Sequence, residues 1–184
     1  MALEIHDANH FGPLTGERLR RLEAQLKARL PDNYRAFLLR YNGGRPTRPR
    51  FTYTADGEEQ ASVQEWFFAV HDQPNEEPDD WTPAGWTPAA GPPPHFAQPL
   101  EEVWADLRSE KSKSEKSKVG MLPIARDPAG SLIGLGHTGK RAGAVWLYDH
   151  DTESFVRLAD SFAAFLASLT RLPPGDWVPW LIVE

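Results

Sequence analysis

The chain of 184 residues contains no cysteine. That excludes disulfides, thiol nucleophiles and cysteine-ligated metals, and it agrees with a reducing cytoplasm. No apolar run approaches the roughly 18 residues that a membrane-spanning helix needs. The opening residues, MALEIHDANHFG, lack the basic start and apolar stretch of a secretory signal, so a cytoplasmic protein is expected. Basic residues are missing from a whole section of the chain. From Phe51 to Leu107 there is no Lys or Arg against twelve Asp and Glu. Residues 1–50 hold ten basic against five acidic, and residues 108–184 ten against nine, so the net charge of −6 conceals a strong segregation. An acidic middle section attracts cationic partners and repels polyanions, which argues against nucleic-acid binding.

What is present is ordinary for one globular domain over residues 1–184, with 40% hydrophobic and 25% charged residues. Leu19, Leu22, Leu26 and Leu30 form one helical stripe behind a capping Thr15. Pro31 ends that helix, and Asp32 is placed to cap the next one. Tyr34, Phe37, Leu38 and Tyr41 repeat the helical spacing until Asn42-Gly43-Gly44 closes the second helix with residues that tolerate positive φ. RPTRPR reads as a basic loop, and SVQEWFFAVHD as a strand. Residues 72–99 are rich in proline, acids and tryptophan and read as a long loop, which in a compact domain is usually functional or disordered. A short helix carries Leu100, Val103, Trp104 and Leu107. The run RSEKSKSEKSK (108–118) has no core-forming side chain. MLPIARD, SLIGLG, AVWLYDHD and ESFVRLA read as strands, with PAG as a turn. A last helix buries Phe162, Phe165, Leu166 and Leu169. The apolar tail DWVPWLIVE is expected to dock on the body or on a second subunit, leaving monomer and homodimer both open.

One stretch imitates a phosphate-binding loop. GLGHTGKRAG supplies Gly134, Gly139 and Lys140 at the right spacing. Arg141 stands where Ser or Thr should hold magnesium, and AGAVWLYDH after it has the composition of a strand rather than a helix. The pattern therefore reads as a hairpin turn carrying exposed Lys140 and Arg141. His6 and His10 would share a face only in a helix. Tyr148-Asp149-His150-Asp151 could bind metal or move protons, but it sits where Asp and His make turns. No nucleophile pairs with it at a recognisable spacing, so no enzyme, cofactor or metal is expected. The basic residues Arg45, Arg48 and Arg50 read as a solvated turn. The acidic loop is more informative. Glu76, Glu77, Asp79 and Asp80 adjoin Trp81 and Trp86, a mixture that suits a partner-binding surface; alternatively both indoles fold onto the core.

Taken in order, these segments resemble the SUKH superfamily (Smi/Knr-like). LPDNYRAFLLRYNGG (30–44) is similar to its first motif and LPIARDPAGSLIGL (122–135) to its second. GAVWLYDHD matches the third, and LADSFAAFLASL (158–169) looks like the closing helix. Gly130-Ser131 departs from the family's usual Gly-Asn, and residues 72–99 lie outside the shared pattern. The resemblance implies an α+β fold, a mainly antiparallel sheet with helices packed against it. It also implies a non-enzymatic protein-binding role. Many bacterial members are immunity proteins that neutralise a cognate toxin, often a nuclease; fungal relatives are regulatory proteins of the cell wall. The first expectation is accordingly an immunity protein whose partner is a basic toxin, contacted through Glu76, Glu77, Asp79, Asp80, Trp81 and Trp86. The alternative is a regulatory scaffold that binds an endogenous protein or small ligand near Lys140 and Arg141. Neither reading involves a membrane.

Overall fold

The computed structural model describes residues 3–55, 57–72, 99–108 and 120–174. Thr15 caps helix α1 (Gly16–Leu26) by accepting a hydrogen bond from the Arg18 amide, and Leu19, Leu22 and Leu26 are buried as their spacing predicts. The helix stops short of Leu30, however. Lys27 turns left-handed and its amide folds back onto Ala24 and Glu23. Glu23 then fixes the connecting turn, accepting from the Leu30 amide at 2.8 Å and pairing with Arg35. Leu30 is buried from that turn instead of from a helical stripe. Helix α2 (Asp32–Tyr41) starts behind Pro31 without a side-chain cap, because Asp32 lies in its first turn and accepts from Arg29 at 2.8 Å. Tyr34, Phe37 and Leu38 are buried, and Phe37 meets Phe67 and Phe162 edge-on at 4.6 and 5.1 Å between ring centroids.

The expected basic loop is partly strand. Arg45–Pro46 form β2, paired with β1 (Ile5–His6), and Arg50 opens β3 (Arg50–Ala55). Strand β3 pairs antiparallel with β4 (Glu58–Val63), a hairpin whose alternation is masked by exposed Glu58, Glu59 and Gln60. The strand expected over SVQEWFFAVHD therefore ends at Val63 as a regular ladder. Beyond it, residues 64–70 are buried but make only single bridges, Phe67 pairing with Gly44 on one side and with Ala125 on the other. Strands β5 (Met121–Arg126), β6 (Leu132–Gly136), β7 (Val145–Asp149) and β8 (Ser154–Ala159) follow in spatial order as a four-stranded antiparallel meander. Helix α3 (Leu100–Arg108) packs on β5, and α4 (Phe162–Ser168), capped by Ser161, packs on β8 and α2. The fold is α+β, with antiparallel sheets and helices sharing one apolar core. No helix among the described residues is long and apolar enough to cross a membrane.

Candidate partner-binding site

Asn42 and the glycines after it build the corner from which the acidic segment departs. Asn42 adopts a left-handed conformation (φ 37°) and is 2% exposed. Its amide group donates to Gly12 O at 2.8 Å and Val70 O at 3.1 Å, while its oxygen accepts from the Val70 amide at 2.9 Å. One side chain thus ties the end of α2, the N-terminal turn and the chain just before the acidic segment. Gly44 (φ 104°) is obligatory for a further reason: a Cβ there would lie 2.7 Å from His6 O.

Past this corner the chain reaches His71, whose ring stacks on Phe11 at 3.9 Å, and then Asp72. Asp72 makes a two-armed ion pair with Arg18 in the first turn of α1. The chain returns at Pro99, where the Leu100 amide donates to Ala69 O at 2.9 Å. Departure and return are therefore held side by side. They rim a hollow of about 450 Å³ lined with Arg18, Arg21, Gln25, His71, Glu101 and Glu102. Burial raises the Glu101 carboxyl above its ordinary pKa, and Arg18, 3.8 Å away, pulls against that rise. The expected contact residues Glu76, Glu77, Asp79, Asp80, Trp81 and Trp86 lie outside the described residues, as do the apolar tail and the Lys/Ser run from residue 109 on, its first residue, Arg108, closing α3. What the structure supplies is their base.

The other sequence candidates fall into place. Between β6 and β7 the glycine-rich segment makes a single 3-10 turn (Gly139–Arg141) and leads straight into strand β7. Within the loop the Gly136 and His137 amides are spent on the Ala144 and Gly120 carbonyls, at 2.9 and 2.8 Å, so they do not point at a phosphate. Lys140 is exposed, whereas Arg141 is half-buried over the rings of Trp146 and Phe155, at 5.0 and 4.8 Å. His6 sits in β1 and His10 in a tight turn, so they share no helical face. Asp149, His150 and Asp151 do bring ligand atoms within 4.8 Å of one another. Asp149 also holds the turn, accepting from the Asp151 and Thr152 amides. Burial works to raise its carboxyl, but these amides outweigh it and hold the group below the usual range.

Sequence reasoning missed Asp127. It is 5% exposed, accepts from the Ser62 hydroxyl at 3.0 Å and the Ser131 amide at 2.8 Å, and so joins the β3–β4 hairpin to the β5–β6 turn. Burial raises its pKa against those hydrogen bonds. Ser131, the departure from the family's usual asparagine, is used inside this joint: its hydroxyl lies 3.4 Å from His150 Nδ1.

An antiparallel meander backed by helices, with an Asn-Gly-Gly corner closing α2, is the α+β architecture that the motifs implied. The sequence model of the SMI1 / KNR4 family (SUKH-1) matches residues 13–168, and the chain belongs to that family. No curated protein matches it in sequence.

Proposed function

We propose that this protein is a cytoplasmic immunity protein that binds and neutralises a cognate protein toxin by occupying it, without catalysis. Membership of the SUKH-1 family supports a binding role of this kind. The observation that carries the reading is the anchored base: Arg18–Asp72 on one side and Ala69–Leu100 on the other fix both ends of a segment holding four acids, two tryptophans and no basic residue. Glu76, Glu77, Asp79 and Asp80 attract a cationic toxin surface such as the active site of a nuclease, which must itself bind a polyanion. Trp81 and Trp86 supply large apolar contact area once the partner arrives.

The test begins with a pull-down by the tagged protein from its own cell lysate, with and without residues 72–96. A basic toxin-like protein retained only by the intact chain supports the proposal. Capture of a housekeeping protein, or capture indifferent to the deletion, supports a regulatory scaffold instead. With the partner in hand, reversal of charge at both Asp79 and Asp80 is expected to slow association about tenfold at low salt and flatten its salt dependence. An unchanged association rate would remove those two residues from the interface.

A further inference from the structure

A second surface has a clear apolar character and an incomplete polar one. A groove of about 230 Å³ is lined by Leu3, Ile5, Phe37, Tyr41 and Leu166, with Arg48 as its cation. Leu3, Ile5, Tyr41 and Leu166 are only partly buried where they meet the core. The buried Nε of Arg48 finds no hydrogen-bond partner among the described residues. An apolar surface beside a half-buried arginine whose buried Nε lacks a partner fits a segment that is itself apolar and carries a carboxylate.

The chain's own C-terminal residues have that composition, and the last described residues run beside the groove. Thr170 pairs antiparallel with Arg50, its amide donating to Arg50 O at 2.8 Å and the Arg50 amide donating back at 3.1 Å. Antiparallel pairing directs the residues after Thr170 back along Pro49 and Arg48. Thr47, next on that path, donates its amide to Glu4 O at 3.0 Å, at the N-terminal ribbon that borders the groove. Pro173 favours an extended course, and the described residues end in a turn at Pro174. Residues 175–184, GDWVPWLIVE, hold Trp177, Val178, Trp180, Leu181, Ile182 and Val183 with two acids and no base. Ten extended residues reach about 33 Å, far more than a groove of this size requires.

We propose that residues 176–184 bind in cis to the groove between the N-terminal ribbon, α2 and α4. Their apolar side chains cover Leu3, Ile5 and Leu166, and a carboxylate of the segment meets Arg48. The tail is thereby a strap that joins the last part of the chain to the first.

The absence of cysteine makes the test direct. Ala167→Cys, at the groove's edge, is combined in turn with Trp177→Cys, Val178→Cys, Trp180→Cys and Leu181→Cys, and each pair is mildly oxidised. An Arg50→Cys/Thr170→Cys chain serves as the positive control, since those residues are already paired. At least one tail pair is expected to close within a single chain, giving a reducible, faster-migrating monomer. Adding Arg48→Glu is expected to lower its yield about fivefold, the equivalent of roughly 1 kcal/mol. Covalent dimers in a mixture of tagged and untagged chains would assign the groove to a second copy and overturn the proposal. So would open chains in every tail pair while the control closes, or a yield indifferent to Arg48→Glu, which would mark random collision.

Discussion

Asn42 does at one position what usually takes several. Its backbone turns left-handed to end α2, and its side chain satisfies three groups on two other segments. Replacing it by alanine removes the partner of the buried Val70 amide and carbonyl and of the partly buried Gly12 carbonyl. The expected loss for Asn42→Ala is about 3 kcal/mol, read as a shifted midpoint in urea unfolding. Asp127 makes a different prediction. Its folded pKa is raised by burial, so its contribution is fully present below the unfolded-state value and is lost as pH rises through the folded one. Asp127→Asn keeps the shape and can still accept from the Ser131 amide. The wild type is therefore expected to gain on Asp127→Asn in thermal melts as the pH falls from about 7 to about 4. A constant difference would mean that Asp127 does not titrate in this window.

At the scale of elements, what could be read from sequence follows from how each piece is buried. The helices were legible because Leu19, Leu22, Phe37 and Phe162 recur at helical spacing against one core. Strands β5 to β7 were legible as apolar runs, and the PAG turn by its proline and glycine. The β3–β4 hairpin was not legible, since Glu58, Glu59 and Gln60 face solvent and only Phe51 of its six-residue partner is fully inside. The segment 64–70 looked like a strand because it is apolar throughout. It is buried by neighbours that bridge it at one residue each, so burial and ladder part company. At the candidate site, composition singled out the acidic segment, but its anchors are long-range pairs. Arg18 with Asp72, and Ala69 with Leu100, cannot be inferred from spacing along the chain. Those anchors carry the third prediction. Replacing residues 73–98 by a short Gly/Ser linker is expected to change stability by less than about 1 kcal/mol, because closing a loop whose ends already touch depends weakly on its length. Calorimetry of the shortened chain checks this, and a collapse of the melting transition would mean that the segment is part of the core.

For the whole molecule, the segregation of charge governs long-range behaviour more than the net value does. Residues 1–50 are net positive, residues 51–107 wholly acidic among their charges, and the two sections meet where Arg18 holds Asp72. Such a chain is expected to show no retention of duplex DNA in a gel-shift assay at physiological salt, whereas a cationic partner should associate at a rate that falls steeply with ionic strength. A salt-independent rate would shift the weight from steering to apolar contact. The hydrogen bond from Leu100 to Ala69 has a consequence of another order. On the proposed reading it separates the problem of folding from the problem of recognition, because residues 73–98 lie between two ends, Asp72 and Pro99, that the rest of the fold already holds together. A lineage pursued by changing adversaries can revise that interval freely, and an engineer can graft a foreign peptide there and inherit the scaffold intact.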